Sequence, residues 1–134
     1  MLVIDTHILL WWVNDDKQLS AKARAAIQDE MGNQGSILVS SISAWEIAML
    51  VNRNRLTLTM DLDKWLQVVS EIDCLRFVPI DNKVALESTR LPGSFHKDPA
   101  DRMIVALARN VSAPLVNADD KILAYSHVKT IYPH

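Results

Sequence analysis

Leu2-Val3-Ile4-Asp5-Thr6-His7-Ile8-Leu9-Leu10-Trp11-Trp12-Val13 decides the fold class. A short apolar run rich in β-branched residues meets a charge at Asp5, and an unbroken apolar stretch follows from Ile8 to Val13. The first run reads as a strand buried on both faces and the second as a helix packed over it. The same grammar recurs down the chain. Ile37-Leu38-Val39 precedes a helix expected over 41–52, Phe77 to Ile80 a helix over 83–91, and Leu115-Val116 a helix over 120–125, while Val128 to Ile131 reads as a last strand. Ser20 caps a run of strong helix formers that stops at Asn33-Gln34-Gly35, and Leu62, Trp65, Leu66 and Val69 keep helical spacing within 60–72. Asp98-Pro99 opens a further helix with a capping Asp and Pro at the first helical position. Strands alternating with helices predict an α/β domain: three layers, α/β/α, around a mostly parallel sheet of four to five strands, in one domain over 1–134.

Composition narrows the class further. With 134 residues, 49% hydrophobic and 22% charged, the chain is an ordinary globular domain and not a disordered or collagen-like one. A chain of this length buries roughly 65–70% of its unfolded surface, enough for a core without staples. Cys74 is the only thiol, so neither an internal disulfide nor a thiolate metal cage is available, and a reducing, cytoplasmic location is expected. The start lacks a basic region and carries Asp5, unlike a signal peptide, and the longest apolar runs, Ile8 to Val13 and Met103 to Ala108, are too short to cross a bilayer. No membrane partner is therefore expected. The net charge of -2 argues against a general basic coat for nucleic acid.

In an open parallel sheet, ligands meet the residues that close each strand or open the next helix. Asp5 closes the first strand, Asp98 and Asp101 open the helix before the fourth, and Asp119 with Asp120 follows the fourth. Glu46 is the only charge between Ser43 and Val51 and shares a helical stripe with Ile42, Met49 and Leu50. A partly buried carboxylate needs a partner. Asp101 is in line with Ile104, Val105 and Ala108, and so is expected to point toward the end of the sheet. Carboxylates gathered there repel one another, and a divalent cation relieves this; hard oxygen donors without Cys favour Mg²⁺ or Mn²⁺ over zinc. Each Asp has a second reading as a helix cap or turn residue, and Glu46 as a side chain snorkelling to solvent.

Four segments in this order resemble the PIN-domain family of metal-dependent ribonucleases, and within it the VapC-type toxins of type II toxin–antitoxin systems. They are Leu2-Val3-Ile4-Asp5-Thr6-His7, Ser43-Ala44-Trp45-Glu46-Ile47, His96-Lys97-Asp98-Pro99-Ala100-Asp101-Arg102-Met103-Ile104-Val105-Ala106 and Leu115-Val116-Asn117-Ala118-Asp119. Each motif is weak alone; together they span nearly the whole chain. The resemblance implies a PIN-like fold and a catalytic, metal-holding quartet of Asp5, Glu46, Asp101 and Asp119, with Asp98 as helper. It also implies phosphodiester hydrolysis of RNA with one or two Mg²⁺ or Mn²⁺ ions, leaving a 5′-phosphate and a 3′-hydroxyl. Asn117 departs from the Thr or Ser that the family often places there. A homodimer and a small antitoxin lying over the apolar helices and the site are implied as well, and the helix from Ile8 to Val13, apolar on every side, is expected to offer one face to a partner.

Setting aside Asp5, Glu46, Asp98, Asp101 and Asp119 leaves eleven acids against fourteen bases, a balance compatible with RNA. Arg53, Arg55, His96, Lys97, Arg102 and Lys121 flank the expected site as candidate phosphate contacts, with Thr6 and Asn117 as further substrate-binding candidates. His96 has no His partner at metal-binding spacing and reads as a helix-start or phosphate residue. A haloacid-dehalogenase-type phosphatase needs Asp-x-Asp after the first strand, where this chain has Asp5-Thr6-His7. A receiver-type domain needs an acidic pair there. No Gly-rich phosphate loop, His-Glu-x-x-His or Gly-x-Ser-x-Gly occurs. The remaining alternative is a catalytically silent PIN-like RNA- or protein-binding module whose carboxylates only cap helices.

Overall fold

The computed structural model describes residues 1–131. Strands β1 (Leu2–Ile4), β2 (Ile37–Ser40), β3 (Leu75–Val78), β4 (Leu115–Val116) and β5 (Thr130–Ile131) alternate with helices α1 (Thr6–Val13), α2 (Ala21–Gly32), α3 (Ser41–Asn52), α4 (Leu62–Ser70), α5 (Asn82–Ser88), α6 (Pro99–Val111) and α7 (Asp120–Leu123). The strands form one sheet of order β3-β2-β1-β4-β5, and every pairing is parallel.

Alternation along each strand sends successive side chains to opposite faces and makes two cores. Leu2 and Ile4 of β1, Ile37 and Val39 of β2, and Val116 of β4 join Ile8, Leu9, Ile27, Ile47, Trp65 and Val69 on one face. Val3, Leu38 and Leu115 point the other way, onto Val84, Ile104, Val105 and Ile122. Three layers result, α/β/α, as the sequence predicts. No helix among the described residues is long and apolar enough to cross a membrane.

Element ends shift where backbone chemistry overrides the apolar pattern. The third strand was expected over Phe77 to Ile80 but runs from Leu75, directly after Cys74 in the left-handed region (φ 70°). It stops at Val78 because Pro79 has no N–H to give the ladder. Helix α4 begins at Leu62 and not at Met60, since Asp61 accepts from the Lys64 N–H and fixes the cap. The last strand is shorter than expected, with only Thr130 and Ile131 paired to β4.

The helix face expected to meet a partner is only partly open. The outward residues of α1, Trp11, Trp12 and Val13, are half-buried and pack against the first core. The large exposed apolar side chains are Met1, Trp45, Met60, Val68 and Leu86 instead, with Trp45 on α3 at 57% exposure.

Candidate active site

The chain builds β2 and β3 on one side of β1, then crosses to place β4 on the other, so the crevice past the carboxyl ends of β1 and β4 is the topological switch point. A cleft of about 690 Å³ opens there, and Asp5, Glu46, Asp98, Asp101, Asp119 and Asp120 all line it. Segments distant in sequence supply them: the end of β1, the middle of α3, the start of α6 and the turn after β4.

The cap reading and the site reading turn out to be compatible. Asp5 caps α1 through Oδ1, which accepts from the Ile8 N–H at 2.9 Å, while Oδ2 accepts from the Ala118 N–H at 3.1 Å. The carboxylate thus ties β1 to the turn after β4 and is held on both oxygens. Asp98 caps α6 through the Asp101 N–H, and Asp119 caps α7 through the Lys121 N–H at 2.8 Å. Helix starts at a strand's carboxyl end put cap residues at the mouth of the cleft, so a capping side chain also lines it.

Glu46 is held from α1. Thr6 Oγ1 donates to Glu46 Oε1 at 2.5 Å and stands 2.8 Å from Ser43 Oγ. Its single proton goes to the carboxylate, which leaves Ser43 to donate to Thr6. Thr6 and Ser43 are buried, and Thr6, at the floor of the cleft, holds Glu46 in place. Asn117 is wholly buried too; its Oδ1 accepts from the Asp119 N–H at 3.1 Å and shapes the turn that carries Asp119. In this arrangement Asn117 does not line the cleft.

Arg102 does not line the cleft either. Its Nε donates to the Ser88 carbonyl at 2.7 Å and its Nη1 to the Phe95 and His96 carbonyls at 3.2 Å each, so the guanidinium braces the segment leading into α6. Arg102→Met is expected to strand these carbonyls and cost about 2 kcal/mol, the weight of hydrogen bonds to a charged donor. Scanning calorimetry should show a fall in Tm of roughly 5–10 °C, and an unchanged Tm would mean the brace is dispensable. Lys97 is exposed, and Arg53 and Arg55 lie past the end of α3, seven and nine residues beyond Glu46. Of the six candidate phosphate contacts, Lys121 alone lines the cleft among the described residues. His96 lies beside it, with Nε2 3.1 Å from Asp101 Oδ2.

The electrostatics are those of a site short of positive charge. Burial pushes Asp5 up to about 6, against the pull of its two backbone N–H donors and of His7. Burial, then the neighbouring Asp98 and Asp119 carboxylates, push Asp101 up to about 8. Glu46 is raised as well, by burial first and Asp98 second, although the Thr6 hydroxyl favours its ionised form. All three shifts favour the neutral carboxyl, and Lys121 is the single Lys or Arg lining the cleft among the described residues. One ligand atom each from His96, Asp101 and Asp119 falls within 4.8 Å of the others. His96 Nε2 is buried without a well-directed hydrogen bond. Hard carboxylate oxygens, under-compensated charge and a spare imidazole nitrogen suit a divalent cation such as Mg²⁺ or Mn²⁺.

Another wall of the cleft is not carboxylate at all. His7, Trp11 and Gln18 line it, with the His7 and Trp11 rings 6.0 Å apart. His7 lies near enough to Asp5 and Glu46 to favour their ionised forms. The sequence reading gave Trp11 to the partner face of the first helix and assigned none of the three to the cleft, although His7 and Trp11 are spaced i, i+4 on the helix that starts at Asp5.

A family model, PIN domain, matches residues 2–128. Ribonuclease VapC22 of Mycobacterium tuberculosis (strain ATCC 25618 / H37Rv) is 32% identical over 130 residues, which is 97% of this chain and 95% of that protein. Among solved structures, VapBC2 from Rickettsia felis, bound to a DNA fragment from its promoter, aligns with a TM-score of 0.69 at 16% identity over 98% of each chain. FitAcB from Neisseria gonorrhoeae aligns with a TM-score of 0.69 at 19% identity, over 99% of this chain and 98% of that one. A toxin–antitoxin complex from Klebsiella pneumoniae aligns with a TM-score of 0.68 at 15% identity, over 100% and 98%. At these identities the structures speak for the fold, and they share it along the whole chain. Together with the family match and the full-length relative, they establish that the chain belongs to the PIN-domain family, in its VapC-type branch.

Proposed function

We propose that this protein is a divalent-metal-dependent endoribonuclease, the toxin of a type II toxin–antitoxin pair. The observation that carries the reading is the meeting of Asp5, Glu46, Asp101 and Asp119 from four separate segments in one cleft, with Lys121 the single Lys or Arg lining it among the described residues. The ribonuclease relative, aligned over 97% of the chain, supports RNA as the substrate. Asp5, Glu46, Asp101 and Asp119 would hold Mg²⁺ or Mn²⁺, with Asp98 as helper and His96 adjacent. Bound there, such an ion supplies Lewis acidity toward a phosphoryl oxygen and lowers the pKa of water.

The chain's own contribution is positioning. Two backbone donors fix Asp5, Thr6 fixes Glu46, the Asn117 turn fixes Asp119 and the Asp98 cap fixes the first turn of α6, where Asp101 sits. Ligands held this firmly lose little freedom when they engage a substrate complex. Lys121 is placed to meet a phosphate at the rim.

The test is incubation with total cellular RNA in Mg²⁺, in Mn²⁺ and in EDTA. Discrete fragments with 5′-phosphate and 3′-hydroxyl ends, absent in EDTA, are expected. Intact RNA under every condition, from a folded protein, would favour the silent binding module.

An antitoxin partner and a homodimer belong to the same reading, and relatives of this fold have been solved as toxin–antitoxin complexes. This reading assigns to the second copy a largely apolar hollow of about 470 Å³ lined by Ile42, Trp45, Ile80, Pro99 and Ala100, with Glu46 and Asp98 at its cleft side. Trp45→Glu is expected to convert the dimer to monomer by light scattering; a dimer that survives it would move the contact elsewhere. A cytoplasmic location completes the reading, because the lone thiol Cys74 suits a reducing compartment.

A further inference from the structure

We infer that Trp11, with His7 and Gln18 beside it, forms a seat for one unpaired nucleobase next to the scissile phosphate. The inference rests on the ribonuclease reading and deepens it by naming what grips the substrate. An RNA strand entering this cleft meets six carboxylates and, among the described residues, one lysine, so its backbone gains little from phosphate contacts there. Beyond what a cation held by those carboxylates would contribute at the reacting phosphate, affinity needs a second source. Stacking on an aromatic face is that source for single-stranded RNA, and it is blind to the charge of the cleft.

Trp11 has the required placement. It lines the same continuous cleft as Asp5, Glu46, Asp101 and Asp119, while the rest of its side chain packs against the first core. A ring that is half-buried is held in orientation before the substrate arrives, so little freedom is lost on stacking. His7, exposed one helical turn earlier, extends the wall toward Asp5 and Glu46. Gln18, exposed at the rim, brings an amide that can donate to and accept from a base edge. Lys121 is borne by α7 on the other face of the sheet, since Ile122 packs into the second core whereas α1 packs into the first. A strand crossing the end of the sheet thus passes from a base on Trp11, over the carboxylates, to a phosphate at Lys121. A paired base has its faces already stacked in the duplex, so the seat selects an unpaired one.

The experiment uses a 12-nucleotide RNA spanning the cleavage site that the wild type makes in total RNA, and a second copy made abasic at each nucleotide flanking that site in turn. Trp11→Ala is expected to raise KM about tenfold or more, the effect of losing one base stack, with kcat changed less than twofold. Trp11→Phe, which keeps an aromatic face, is expected to lose about threefold. One abasic position should raise KM equally for the wild type and add nothing to Trp11→Ala. His7→Ala, a change at an exposed position, is expected to raise KM by a smaller factor and serves as the probe if Trp11→Ala fails to fold. Unchanged KM in folded Trp11→Ala, or an abasic penalty that persists undiminished in it, overturns the seat. So does unchanged KM accompanied by loss of a protein partner, which would make Trp11 a protein-contact residue. Wild-type protein that cleaves no RNA overturns the ribonuclease reading itself, and the seat with it.

Discussion

Asp101→Asn is expected to lower RNA cleavage by about 10³-fold or more while raising the melting temperature of the metal-free protein. The loss follows from removing one carboxylate of the metal-holding set, because the several kcal/mol that a metal ion contributes to transition-state charge corresponds to roughly that factor. The gain in stability follows from the same crowding. Asp101 is held up at about 8 by burial and by the Asp98 and Asp119 carboxylates, so its ionised form opposes the fold. An amide of the same shape removes that opposition, and a Tm rise of about 3–6 °C is expected for a domain of this size. A mutation that stabilises the protein while ending catalysis is the signature of a functional carboxylate. A drop in both would mean that Asp101 is structural.

The metal-free protein is expected to lose stability as pH rises from about 4 to about 8, with a Tm fall of roughly 10 °C across that window. The sign follows from proton counting. Asp101 moves from its ordinary 3.8 up to about 8 on folding, and Asp5 from 3.8 up to about 6. Between those limits the folded state keeps protons that the unfolded chain has released, so stability falls with pH. Asp5 contributes to the lower part of the window and Asp101 to all of it. Thermal melts of wild type and Asp101→Asn at each pH separate the two: the difference between them should widen steadily up to about pH 8. Saturating Mn²⁺ should flatten the wild-type curve, since a bound cation substitutes for the protons. A wild-type curve that rises from pH 4 to 8 would contradict the assignment.

Asp5→Asn is a different experiment. The sequence expects Asp5→Asn and Asp101→Asn to leave the fold equally stable or slightly more so, and the geometry separates them. Both oxygens of Asp5 accept backbone N–H groups, from Ile8 and Ala118. An Asn has one acceptor oxygen and presents an amide donor to the other N–H. The relief of a buried charge is then offset by a stranded donor worth about 1–3 kcal/mol. Cleavage should still be lost.

What was legible in the sequence was local. Asp5 after Leu2-Val3-Ile4 and Asp98 before Pro99 announce a strand end and a helix start through their immediate neighbours, and both stand there in the structure. Glu46 draws notice as a lone charge among apolar residues, but its anchor, Thr6, is forty residues earlier and meets it only because β2 pairs beside β1. Arg102 looks like a phosphate contact from its position in the motif, yet it spends its donors on carbonyls of residues 88, 95 and 96. Asn117 looks like a substitution in a substrate contact and is instead a buried turn residue. The wall of His7, Trp11 and Gln18 was illegible because Trp11 is one of several apolar residues in a row, and only the packed sheet decides which of them turns toward the cleft. The late start of α4 and early end of β3 show the converse, a single cap or proline overruling an apolar pattern.

Calorimetric titration of Mn²⁺ into the metal-free protein at pH 7, repeated in two buffers of different ionisation enthalpy and again with Asp101→Asn, tests the metal centre most directly. Saturable binding by the wild type with release of about one proton, weakened at least about 100-fold in the variant, is the predicted result. Folded wild-type protein that takes up no Mn²⁺, or that binds it no better than Asp101→Asn does, would contradict it.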